Sequence, residues 1–129
     1  MKRLIVTLGP LALMLCAGAA LAHHSAAMFD ENKEVTIQGT VKEFQYTNPH
    51  SWVVVAVPDR TGSATVWSFE TSNAGALLRA GIKKSSLAAG DKVTVKGHPL
   101  RDGRPGAEVV MITKDNGVVL DPRARPGAD

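Results

Sequence analysis

The chain has 129 residues, with 15 Lys and Arg, 12 Asp and Glu, four His and a single Cys. That length suits one domain with one apolar core. The formal charge of +3 does not by itself imply a nucleic-acid partner, because Lys2 and Arg3 sit in a segment expected to be removed; 15 minus those two leaves 13 basic side chains against 12 acidic ones.

Lys2 and Arg3 are followed by an apolar run from Leu4 to Leu15, then by small residues ending Ala20-Leu21-Ala22. This is the order of a secretory signal, with an A-x-A site before His23. Residues 1–22 are therefore expected to be cleaved, leaving a periplasmic protein that starts at His23 and has no membrane contact. Two alternatives stay open. Leu4 to Ala22 is just long enough to anchor the chain if Pro10 is tolerated. Cys16 would be the site of a lipoprotein, although Leu15 stands where a small residue is wanted. Cleavage removes Cys16, so the mature chain has no disulfide and rests on its core.

Residues 23–34 form a polar lead-in containing Met28 and Phe29, expected to be partly ordered at best. From Val35 the pattern alternates through Ile37, Gly39 and Val41, then flips to even numbers at Phe44 and Tyr46. A side-chain period of two flips only where a residue is inserted, which places a bulge near Lys42-Glu43. Thr47-Asn48-Pro49-His50 is a turn. Trp52 to Val57 reads as a strand buried on both faces, and Pro58 to Gly62 as a hairpin loop. Ala64 to Thr71 is a third strand, with Thr65, Trp67, Phe69 and Thr71 on one side. Ser72 or Asn73 can cap a short helix that Gly81 ends, with Leu77 and Leu78 as its lid residues. A fourth strand carries Val93 and Val95 inward. His98 to Gly106 is a loop, Ala107 to Thr113 a fifth strand, and Val118 to Leu120 its extension. Residues 121–129 hold no core residue and are left disordered.

Three strands, a short helix and two more strands make an all-β domain over residues 35–120. The expected fold is a small five-stranded OB-like Greek-key barrel, with an antiparallel sandwich as the competing reading. Fold alone does not set function.

All four histidines lie in three short segments: His23-His24-Ser25-Ala26-Ala27-Met28-Phe29-Asp30, Tyr46-Thr47-Asn48-Pro49-His50-Ser51-Trp52, and the loop from His98 to Gly106. These segments resemble a family of uncharacterised bacterial secreted proteins, a domain of unknown function, so the resemblance implies kinship without an activity. A looser likeness is to periplasmic OB-fold chaperones of copper or silver. Those use a His, methionines and a nearby Trp; here His50 and Trp52 match, with no Met-x-Met pair beside them.

Two kinds of binding protein follow. In the first, His23, His24, His50 and His98 hold a metal, with copper favoured by the affinity order for imidazole sites. Cleavage would place a free amine and two imidazoles together, and the loops carrying His50 and His98 flank one face of an OB barrel. In the second, the module is metal-free, and Trp52, Arg101 and Arg104 dock a partner protein or a small anionic ligand. Each residue also has a plain structural role open to it: a turn histidine, a strand-end histidine, a solvated hairpin tip. Trp52, Trp67 and Phe69 could form a base-stacking platform, but export and near-neutral charge argue against nucleic acid. No nucleophile sits beside an evident base, so an enzyme is not expected.

Overall fold

The computed structural model describes residues 27–126. The signal segment, its cleavage site, His23 and His24 lie outside the described residues. Among those described, no helix is long and apolar enough to cross a membrane.

The strands are β1 (Val35–Gln45), β2 (Ser51–Pro58), β3 (Ala64–Thr71), β4 (Lys92–Pro99), β5 (Gly106–Lys114) and β6 (Val119–Leu120). Helix α1 (Ala74–Arg79) and a short 3-10 turn (Lys84–Ser86) lie between β3 and β4. They form one sheet in the order β3-β2-β1-β4-β5-β6, closed by a parallel pairing of β3 with β5. Five strands thus make a barrel, and β6 extends β5 by two antiparallel pairs.

β1 is shared between both halves of the barrel. Val35 to Thr40 pair with β4, while Thr40 to Gln45 pair with β2. The register slips between Val41 and Glu43, where the phase of the apolar pattern changes. A bulge adds twist and bends the strand, which lets β1 serve both sheets. Gly39 stands at the crossing: a Cβ there would collide with Ala56 O and lie 2.6 Å from Val55 Cγ1. Only a residue without a side chain allows β1 to approach β2 so closely.

Val53, Val55, Phe69, Val95 and Ala107 are fully buried, with Val41, Val93, Val109 and Ile112 beside them. In β2 the even-numbered residues are only half-buried. The strand therefore has one core face and one outer face, not two buried faces, because no described element covers the outside completely. Asn73 caps α1 by accepting from the Ala76 N–H at 2.8 Å. Leu77 closes the barrel end, whereas Leu78 is 58% exposed; a two-turn helix presents one apolar stripe, and adjacent residues cannot share it. The Tyr46 hydroxyl lies 2.8 Å from Ala74 O and 3.0 Å from Ile82 O, tying β1 to both ends of the α1 segment. Beyond β6, Pro122 is buried, so the start of the expected tail packs on the barrel.

Candidate functional site

From Ala27 onward the lead-in is held in place. Phe29 forms an antiparallel bridge with Leu100 and is 3% exposed. Around it, Asp30 N–H donates to Pro99 O and Arg101 N–H to Met28 O, each at 2.9 Å. Arg101 Nε donates to Ala27 O at 3.1 Å, and its Nη1 lies 3.9 Å from Asp30 Oδ1. One aromatic anchor and three backbone acceptors thus clasp residues 27–30 against the end of β4. His98 Nδ1 is 2.8 Å from Lys33 O. A carbonyl only accepts, so Nδ1 carries the hydrogen, and in the neutral ring Nε2 keeps the lone pair.

The β1–β2 turn is held just as firmly. Thr47 Oγ1 donates to His50 O at 2.8 Å, and Ser51 Oγ lies 3.1 Å from both Thr47 N and Thr47 O. Asn48 Oδ1 accepts from the Ala74 N–H at 3.1 Å, joining the turn to α1. The Asn48–Pro49 bond is cis. This frame places His50 Nδ1 3.1 Å from Glu70 Oε1; the Glu70 side chain is 10% exposed and that of His50 45%. When the imidazole is neutral and Glu70 ionised, Nδ1–H donates to the carboxylate and the Nε2 lone pair is left for another group. That is the arrangement of metal-binding histidines, whose second nitrogen is commonly tied to a carboxylate or carbonyl.

Glu70 lies opposite Trp52 on β2 and opposite Glu108 on β5, which in turn lies opposite His98 on β4. Residues directly opposite share a face, so Trp52, Glu70, Glu108 and His98 form a row across the outer wall. Two cavities flank it. One, of about 310 Å³, is lined by Phe29, His50, Glu70, Thr71, Glu108 and Arg123 among others. Thr71 Oγ1 is buried there without a hydrogen-bond partner among the described residues. The other, of about 380 Å³, is lined by Met28, Phe29, Trp52, Val66, Leu100 and Arg104 among others. Phe29 and Glu70 belong to both.

The sequence-derived candidates separate at this site. His50 is joined by Glu70 rather than by His98, which lines neither cavity. Two strand spacings of ~4.8 Å each separate the His98 and Glu70 backbones. Among the described residues no three His, Cys, Asp or Glu side chains are placed to hold a metal ion. Trp52 lines the second cavity on the outer face. Trp67 and Phe69 stack on each other at 5.8 Å on the inner side and pack with the core, so the three aromatics form no common platform. Arg101 is spent on the clasp. Arg104 Nε is bonded to Asp102 Oδ2 at 2.7 Å within its own hairpin tip. Arg104 nevertheless lines the second cavity together with Trp52. Glu70 was not singled out from sequence, where it is one of several strand carboxylates. Its only signal there is its place on the outer face of β3, the face that Trp52 occupies on β2.

Strand order, β3–β5 closure and the helix between β3 and β4 define an OB-type barrel. Among solved structures it is similar to Rim1, the mitochondrial single-stranded DNA-binding protein of S. cerevisiae, with a TM-score of 0.50. The two are 15% identical, and the match covers 64% of this chain and 93% of that one. At such identity the likeness is one of fold. No curated protein matches the chain in sequence. The model of a family of unknown function, DUF6152, matches residues 12–108, and the chain belongs to that family.

Proposed function

We propose that this is an exported OB-type binding module that takes up copper at His50, completed by its own processed amino terminus. The observation that carries the reading is the His50–Glu70 pair at 3.1 Å on the wall of a cavity that Phe29 also lines. The pair leaves Nε2 of His50 as the open donor. Cleavage before His23 would supply two more nitrogens. Its α-amine, with an ordinary pKa of about 7.7–8.0, loses a proton readily to a metal, and amine and ring nitrogen close one chelate ring. Ala27 lies four positions after His23, a span of up to ~13 Å when extended, and its carbonyl is held by Arg101 Nε at 3.1 Å. His98 also keeps its Nε2 lone pair, but it lines neither cavity and is left out of the site.

A nucleic-acid ligand is disfavoured by the same face. Glu70 and Glu108 stand in the middle of the outer row, where a phosphate backbone would meet carboxylates. The second cavity favours one other reading, a metal-free module whose ligand rests on Trp52, Met28 and Leu100.

Cu(II) titration of the mature protein distinguishes them. His50→Ala is expected to weaken binding at least ~10-fold, the loss of one ligating nitrogen at about 1.4 kcal/mol or more. Glu70→Gln keeps the shape and is expected to weaken it ~10-fold or more by freeing the ring. Equal affinity in wild type and His50→Ala would remove His50 from the site. A wild type that binds no copper would favour the metal-free module.

A further inference from the structure

β3 leaves part of one edge unpaired. Its first half, Ala64 to Trp67, pairs with β2 only, because β5 joins β3 at Ser68, Phe69 and Glu70. Ser68 N–H donates to Pro105 O, away from β2. Backbone groups alternate sides along a strand, so those of Val66 and Ala64 also point away from β2. Two N–H and two C=O groups therefore face outward at an edge that no described strand covers. Val66 is 43% exposed, and Ala64 and Thr65 are exposed too.

The residues along this edge do nothing to repel another strand. From Thr61 to Phe69 there is no Asp, Glu, Lys, Arg or Pro. Proteins ordinarily blunt such edges with lysine, proline or a bulge. The three exposed residues are also self-complementary. In antiparallel register about an axis at Thr65, Ala64 meets Val66 of a second copy and Val66 meets its Ala64. Both are then hydrogen-bonded pairs, four bonds in all, and the two Thr65 residues form the non-bonded pair between them. That register also turns each Asp59–Ser63 hairpin loop toward the other copy's loop before Gly106. The first carries Asp59 and Arg60 and the second Arg101, Asp102 and Arg104, three basic side chains against two acidic, so both signs meet at each approach.

We propose that the Ala64–Val66 edge of β3 pairs with the same edge of a second copy, making an antiparallel dimer across Thr65. The edge is short, so the association belongs to the small, transient class of interfaces, below about 1,200 Å² in total. This does not rest on the copper reading and fails or stands separately from it.

The test is sedimentation velocity on the mature protein, without metal, from low to high micromolar concentration. Wild type is expected to show a monomer–dimer equilibrium. Val66→Pro removes only an outward N–H, and Val66→Lys adds an edge charge; both are expected to stay monomeric with an unchanged circular-dichroism spectrum. Thr65→Cys provides a positive readout, because the mature chain has no other cysteine. A non-bonded antiparallel pair has Cα atoms ~4.5 Å apart, within disulfide reach. Mild oxidation is expected to link Thr65→Cys into dimers, whereas Thr61→Cys stays unlinked. A wild type that is monomeric throughout, Val66 variants that dimerise as well as wild type, or equal cross-linking of the two cysteine variants would each overturn the proposal.

Discussion

Phe29→Ala tests the clasp that holds residues 27–30 against the end of β4. Phe29 is 3% exposed and bridges to Leu100, while its neighbours hold the hydrogen bonds between Asp30 and Pro99 and between Arg101 and Met28. Truncating a buried Phe costs about 3–5 kcal/mol. Here the cost falls on a segment outside the barrel, whose core cluster does not include Phe29. The barrel is therefore expected to stay folded while residues 27–30 open. At 1.4 kcal/mol per tenfold, a local loss of about 3 kcal/mol speeds exchange at the affected amides roughly a hundredfold. The assay is native-state hydrogen exchange by NMR. The Asp30 and Arg101 amides should lose protection together, and those between β1 and β4 should keep theirs. Unchanged exchange at Asp30 and Arg101 would refute the clasp; loss of protection across the whole barrel would make Phe29 part of the core instead.

Val55→Ala, at a fully buried position of β2, should lower the free energy of unfolding by about 1–3 kcal/mol in urea titration. Stability should also fall in acid. Asp91 accepts from the Lys114 ammonium at 2.9 Å and from the Ala88 N–H at 3.0 Å, and these bonds hold its carboxyl below the ordinary carboxylate value. A carboxyl depressed on folding stabilises fully above the unfolded pKa of about 3.9 and loses that contribution as pH drops through the folded value. Asp91→Asn should flatten the acid limb of the stability curve, measured by urea unfolding at successive pH values. Export should yield a chain whose intact mass starts at His23; a mass that retains residues 1–22 would remove the amine ligand.

Much of the barrel is written locally in the chain. The phase change between Val41 and Phe44 marks the β1 bulge, since only an inserted residue moves apolar side chains from odd to even positions. Asn73 and Gly81 mark the ends of the α1 segment through capping and turn chemistry. What stayed hidden is long-range. Phe29 is a lone aromatic in a polar stretch, and its partner Leu100 belongs to a distant loop. Glu70 looks like any strand-surface carboxylate until closure of β3 on β5 and the His50 turn surround it. The Arg101 contact with Ala27 O is equally distant in the chain and forms only with the clasp. The pairing of His50 with His98 was the natural reading of two loops on one OB face. Register decides otherwise, putting Glu108 between His98 and Glu70.

Whether the His23 amine ligates copper is read by electron paramagnetic resonance of the Cu(II)-loaded mature protein. Two proteins are compared, one starting at His23 and one with a single Ala added before it, which turns the His23 nitrogen into an amide. If the amine ligates, the extended chain shows a changed spectrum and at least ~10-fold weaker binding. An identical spectrum and affinity in the two would contradict amine ligation.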